Sequence, residues 1–391
     1  MSSASPIPFF VGCYTWNFAF GVSMMVVPLY AHQLNMSGFA IGSLIGIPVV
    51  IQILFSLAGG AFTDRLGGRI MMLFSFTAMS CAGLVFCFAH SFPPLLLGQL
   101  LLVISRATYW PSSQTIASNL PEGRVQLGRL NASSNIGQIS GTIIAGFLLA
   151  QFGFQIAFLA LTFMGIISFL LGARSPLGAP SGDHRPVRFL SNFIHLLRGR
   201  TVYFAILCAY VSALPISLGQ SFYPILLTEF GLASQTTGSL LALRALGAVT
   251  AGLLVARYIK STSRRALPLI SMIGIAAAIG FMPLFNNVIV VGLFLLGVGV
   301  SSGVMTLYYQ ILVSDISTSS NRGSALALGG LGWSLSHLTT PLFMGILADT
   351  FGLTNAFYIW GTLTLMLAVG FIPMQRWAIS PLVVGRVDAP T

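Results

Sequence analysis

Charge is what this sequence has least of. Only 6% of its 391 residues are charged, with seven Asp and Glu against 18 Lys and Arg. A soluble domain carries about 25% charged residues, so this chain lacks the groups to coat a globular surface. Cysteine is scarce as well. Cys13, Cys81, Cys87 and Cys208 lie in apolar stretches without a Cys-x-x-Cys spacing. That argues against a disulfide framework and leaves them as small buried hydrophobes. No His, Cys and carboxylate cluster has metal-ligand spacing, and no Gly-x-x-x-x-Gly-Lys-Ser/Thr loop is present. Neither metal nor cofactor is expected, and ATP is not expected to act directly. Convergent acid, base or nucleophile groups are also lacking, so an enzyme is not expected. The first residues, Met-Ser-Ser-Ala-Ser-Pro-Ile-Pro, lack the positive n-region of a cleaved signal peptide, so the first apolar run is expected to stay attached.

What is present is hydrophobic residue, 55% of the chain, with Gly 42 and Phe 30. Such a composition suits membrane helices that pack closely through small residues. At ~20 residues per span the length fits about twelve transmembrane helices. The pattern predicts an all-α integral membrane protein with spans at 9–31, 38–62, 70–89, 92–117, 127–151 and 154–174, then 202–228, 233–256, 266–285, 287–313, 323–348 and 354–375. This divides the chain into an N-terminal six-helix half (1–174), a polar linker (175–200), a C-terminal six-helix half (201–377) and a tail (378–391). The tail is expected to be disordered.

The formal charge of +11 suggests nucleic acid at first sight, but its distribution does not. Arg106 and Arg244 lie inside apolar runs; the other 16 basic residues fall in every second loop or near the C-terminal end. The intervening loops carry His32, His90, Glu229, Asn286 and Asp349. That alternation follows the positive-inside rule and puts the basic loops and both termini on the cytoplasmic side. The expected partners are membrane lipids and a small-molecule substrate, with no nucleic acid; a monomer is expected.

The halves repeat. Phe152-Gly153 with Ala157-Phe158 recurs as Phe351-Gly352 with Ala356-Phe357, Gly146 as Gly345, and Tyr109 as Tyr308. Gly42-Ser43-Leu44 recurs as Gly238-Ser239-Leu240. A near-constant offset across several helices implies two parallel six-helix repeats about an axis along the membrane normal.

Between the second and third spans the chain reads Gly60-Ala-Phe-Thr-Asp64-Arg65-Leu-Gly67-Gly-Arg69. Its glycines supply the backbone freedom of a tight turn. The spacing resembles the signature loop between helices 2 and 3 of the major facilitator superfamily of transporters. The fourth span adds Arg106-Ala-Thr-Tyr-Trp-Pro-Ser-Ser-Gln114, followed by Pro121-Glu-Gly-Arg124 to Gly128-Arg129, which also resembles the family. The resemblance covers essentially the whole chain. It implies the twelve-helix facilitator fold, alternating access, and a gating role for Gly60, Asp64, Arg65, Gly67 and Arg69, which would latch the cytoplasmic side. The fifth span reads Gly137-x-x-x-Gly141-Thr142-x-x-Ala145-Gly146 and departs from the exporter-associated Gly-Pro-x-x-Gly-Gly, giving little support for drug/proton antiport.

A charge mid-membrane costs roughly 2.5–3.5 kcal/mol on the translocon scale, so Arg106 and Arg244 each need a partner. None of the seven acids lies mid-span. Two intramembrane cations without counter-ions suggest an anion that comes and goes, held by one arginine from each half; guanidinium grips carboxylate, phosphate or sulfonate bidentately. The alternative for either arginine is a structural role on neighbouring carbonyls. Arg106, Tyr109, Trp110, Ser113 and Gln114 share one helical face, and Asn131, Asn135, Gln138 and Thr142 make a second polar stripe. These stripes either line a cavity or join helices. By resemblance, helices 1, 4, 7 and 10 surround the cavity, which makes Tyr14, Trp16, Asn17, Tyr210, Gln220, Tyr223, Tyr308, Tyr309 and Gln310 candidates. His337, between Trp333 and Pro341, is a candidate for proton coupling or a satisfied donor.

The expectation is a transporter of a small organic anion in a bacterial inner membrane, secondary active or facilitative. The alternative is an exporter of amphipathic drugs or metabolites. A transport-dead sensor would be expected to carry a cytoplasmic signalling domain, and the sequence shows none.

Overall fold

In a computed structural model of the chain, residues 5–54, 66–175, 199–255, 266–316 and 322–387 are described. Among them are helices and no strand. Helix α1 is Ile7–Gln33, α2 Gly38–Gly46, α3 Gly68–Cys87, α4 Phe92–Asn119, α5 Gly123–Arg174 and α6 Arg200–Gly219. Then follow α7 Phe222–Glu229, α8 Ser234–Val255, α9 Ala266–Phe281, α10 Val288–Ile316, α11 Arg322–Phe351 and α12 Leu353–Val387. Eight helices among the described residues are long and apolar enough to cross a membrane. Hydrocarbon offers no hydrogen bonds, so a spanning backbone closes its own, and helices do that.

Several boundaries differ from the sequence expectation. Spans five and six agree with it: within α5 the helical backbone breaks at Gly153, φ 77° and ψ −175°, which separates two helices at the expected place. Its repeat partner Gly352 sits at φ 84° between α11 and α12. Both are in the left-handed region that glycine enters without steric cost. Span seven, expected unbroken, is interrupted: α6 stops at Gly219 and α7 starts at Phe222, with Ser221 at φ −132° and ψ −80°. Span two stays helical from Gly38 to Leu54: Ile47, just before Pro48, has φ −57° and ψ −42°, and only the hydrogen-bond ladder is loosened there. Proline removes an amide donor and crowds the preceding turn. Helix α12 continues to Val387, so the expected disordered tail is helical there. Thr201 donates to the Ala378 carbonyl at 2.8 Å and the Arg200 guanidinium lies 5.2 Å from the Trp377 ring, which ties this extension down.

The chain forms two compact units. The first comprises Met1–Arg185 with Gly219–Ala242 and Pro341–Asp349. Its centre is α1 lying along α5, where Gly137 and Gly141 face the backbone of Tyr14 and Phe18 too closely for any Cβ. The segments from later in the sequence join it through similar small-residue contacts. Gly42 of α2 abuts the Pro341 carbonyl, and Gly345 abuts Gly38. A Cβ on Gly238 of α8 would fall 2.6 Å from the Thr142 carbonyl, and one on Gly146 would meet Ser234. Two of the glycine pairs of the repeat, Gly42 with Gly238 and Gly146 with Gly345, are thus places where backbones touch. Asp349, at the end of α11, accepts from the Gly38 and Phe39 amides at 2.5 and 2.8 Å and caps α2. The second unit comprises Pro186–Leu218, Leu243–Thr340 and Thr350–Thr391. There α8 meets α10 at Gly299 and Gly303, and α9 meets α12 at Gly280 and Gly361.

Candidate functional site

Arg106 organises the polar interior of the first unit. It lies midway along α4, only 8% exposed. Its Nε donates to Gln52 Oε1 at 3.0 Å, and Nη2 donates to the same oxygen. Nη1 donates to Gln220 Oε1 at 3.2 Å. The guanidinium carbon sits 5.6 Å from the Phe20 ring centroid. Four stretches therefore converge on one cation: α1, the continuation of α2, α4, and the break between α6 and α7. Among the described residues its partners are neutral amides, with no carboxylate. Amide oxygens satisfy the N–H groups, but they leave the full positive charge in place.

Gln52 was not singled out from the sequence. It is the only carboxamide between Asn35 and Gln99, in an otherwise apolar run, and that isolation was the available signal.

Tyr109, Asn17 and Trp16 form a second cluster beside Arg106. Asn17 Nδ2 donates to Tyr109 Oη at 2.8 Å, to Ser134 Oγ at 3.1 Å and to the Cys13 carbonyl at 2.8 Å. The Trp16 ring stacks on Tyr109 with centroids 3.7 Å apart, and its Nε1 donates to Ser105. All three residues are buried to within about 1%. This network joins α1, α4 and α5, so these three side chains hold helices together. Tyr14 hydroxyl pairs with Ser140 at 3.1 Å, and Gln138 Nε2 lies 3.0 Å from Met24 Sδ. Trp110 and Asn135 are half-buried, and Gln114 is exposed.

Arg244 belongs to the second unit, 3% exposed on α8, and its backbone carbonyl faces Gly299 of α10. Tyr308 is fully buried and receives Gln375 Nε2 at 3.2 Å, while Tyr309 is half-buried. His337 stacks on Trp333 at 5.9 Å and its Nδ1 lies 2.9 Å from the Trp333 carbonyl. A carbonyl only accepts, so Nδ1 carries a proton. Of the gating loop, Gly60, Asp64 and Arg65 lie outside the described residues. Gly67 has φ 84° and starts α3, and the Arg69 guanidinium donates to the Ala173 carbonyl at the end of α5.

The sequence model of the Major Facilitator Superfamily matches residues 9–219 and 205–381. The chain belongs to this superfamily. Within it, the chain is 24% identical over 154 residues to the Quinolone resistance protein NorA of Staphylococcus aureus (strain Mu50 / ATCC 700699), 39% of each chain. It is 29% identical over 168 residues to the Multidrug resistance protein MdtG of Citrobacter koseri, 41% of each. The chain thus spans about two fifths of the length of the curated relatives it matches. The fold agrees over nearly the whole facilitator. A bacterial homolog of the human lysosomal transporter Spinster, inward-facing and unoccupied, superposes with TM-score 0.77 at 15% identity, covering 95% of this chain and 96% of the other. The nucleoside transporter NupG gives TM-score 0.76 at 13% identity, covering 94% of this chain and 98% of the other.

Proposed function

We propose that this facilitator transports a small organic anion across the membrane by alternating access, with Arg106 as the principal contact. The observation that carries the proposal is the buried guanidinium held by neutral amides alone among the described residues. A lasting carboxylate partner would neutralise it; a passing carboxylate, sulfonate or phosphate does so only while bound. The planar fork favours two parallel hydrogen bonds to such a group. Arg244 from the second half of the sequence supplies the second cation, and Trp110, Gln138 and Tyr309 supply polar and aromatic edges. The halves 1–174 and 201–377 rock about the site, joined by the 175–200 linker. The Gly60 to Arg69 loop latches the cytoplasmic side. The setting is a bacterial inner membrane, with the protein monomeric and both termini in the cytoplasm. His337 is the candidate for proton coupling. A His337→Ala variant that keeps wild-type pH dependence removes it from that role.

Efflux of amphipathic compounds is the second reading, favoured by similarity to NorA and MdtG. The two readings overlap for aryl carboxylates, the quinolones included, which join a carboxylate to an apolar body. Thermal stability of the purified protein against small carboxylates, sulfonates, phosphorylated metabolites, a quinolone and lipophilic cations separates them. A ligand at 100 times its dissociation constant stabilises by about 2.7 kcal/mol. Stabilisation by anions that Arg106→Gln and Arg244→Gln abolish supports the anion site. Stabilisation by lipophilic cations, indifferent to both arginines, contradicts it.

A further inference from the structure

The three N–H groups that Arg106 uses are not equivalently held. Gln52 Oε1 is cradled by Nε and Nη2 together, while Gln220 Oε1 accepts from Nη1 at 3.2 Å. A carboxylate needs a parallel pair of donors, either the Nε/Nη2 edge or the Nη1/Nη2 edge. Gln52 occupies the first edge on both nitrogens. Among the described residues the second edge is engaged at one end only, by the longer bond. An arriving anion therefore has one place where it displaces a single weak ligand, and that ligand is Gln220.

The position of Gln220 gives the exchange a consequence. It lies in the two-residue break between α6 and α7, where the helical ladder is interrupted and Ser221 leaves helical geometry. Its side chain is 9% exposed, so it is held in place and not splayed toward water. Beyond the break, α7 packs against α1. The Gln220 to Arg106 bond is thus a direct side-chain link from α4 to the hinge of span seven. Discontinuous helices in transporters are where the backbone changes conformation at least cost.

We propose that Gln220 is an exchangeable placeholder: substrate anion takes its hydrogen bond on Arg106 and thereby uncouples the span-seven break from α4. Gln220 on this view competes with substrate and is not a substrate ligand. Its neutrality is essential, because a carboxylate there would pair with Arg106 permanently. This rests on the anion reading of the Arg106 site.

The test uses full-length protein in detergent, with benzoate and benzenesulfonate as probes, their affinities read by titration calorimetry. Gln220→Ala removes the competitor, so both probes should bind more tightly, on the order of tenfold for one displaced bond to a charged group. Gln220→Asn, too short to reach Nη1, should behave the same way and guards against loss of the Ala variant through misfolding. Gln220→Glu should abolish probe binding. Hydrogen exchange of the Gly219–Phe222 amides should rise with probe in wild type and be high without probe in Gln220→Ala. Weaker or unchanged probe binding in both Gln220→Ala and Gln220→Asn overturns the exchange, since Gln220 would then be a ligand contact or a bystander. Probe binding that survives Arg106→Gln, or its absence from wild type, overturns the anion reading instead and with it the exchange.

Discussion

A single methyl group added at two glycines should have opposite effects, and the structure gives the reason. A Cβ on Gly238 would lie 2.6 Å from the Thr142 carbonyl oxygen and 3.2 Å from the Gly146 Cα, against 3.4 Å at ordinary contact. The obstacle is backbone, so α5 and α8 must part by about 0.8 Å at this point. Overpacking of this kind costs about 1–3 kcal/mol. Gly297 of α10 has nothing within 4 Å of its Cβ direction. There alanine brings only the helix-propensity gain, about 0.8–1 kcal/mol. The same gain applies at Gly238, so the difference between the two variants isolates the clash. At roughly 2 °C per kcal/mol for a chain this long, Gly238→Ala should melt about 2–6 °C below Gly297→Ala. Size-exclusion melting of the two variants in one detergent reads the difference. Equal melting temperatures would mean that the close approach of α5 and α8 is absent, and would refute the small-residue account of this contact.

Three further outcomes follow from individual contacts. Asp349→Ala removes two charge-assisted hydrogen bonds from the start of α2; at an exposed helix N-terminus this should cost about 1–2 kcal/mol, and Asp349→Asn should cost less, read as melting temperature. Tyr109→Phe keeps the stack on Trp16 but leaves Asn17 a lost acceptor, so it should destabilise by about 1 kcal/mol without changing probe affinity. Burial raises the Glu229 carboxyl above its ordinary 4.5, with His32 pulling the other way. A raised folded value means the folded state holds the proton more tightly, so the associated stability is present below pH 4.5 and lost as pH rises through the folded value. Glu229→Gln should remove that part of the pH dependence; an unchanged melting profile above pH 4.5 would show that the carboxyl is not shifted.

The fold was legible because the bilayer imposes one demand on every span. Apolar runs of membrane length and basic loops at alternate turns reported the helices. The offset repeats reported the two sets of six, and Gly153 and Gly352 turned out to share a left-handed backbone as well as a sequence context. What periodicity did not report was continuity. The break at Gln220 inside span seven is a local backbone event that leaves hydropathy unchanged.

The site was partly legible. A charge in hydrocarbon stands out in any sequence, so Arg106 and Arg244 were visible. Helical spacing alone placed Tyr109, Trp110 and Gln114 with Arg106 on one face. Spacing reports a face, whereas the partner on the next helix decides a role. Tyr109 is buried against Trp16 and Asn17, while Gln114 is exposed. Gln52 went unnoticed because a single amide in an apolar run carries no pattern. Its meaning comes from the arginine that it faces.

The most direct test of the central claim is thermal melting of wild type and Arg106→Gln across a series of organic anions matched in size to neutral and cationic analogues. The account predicts that anions alone raise the wild-type melting temperature, and that none of them does so once the guanidinium is gone. Anion stabilisation that persists in Arg106→Gln, or stabilisation of wild type by the cationic analogues alone, would contradict it.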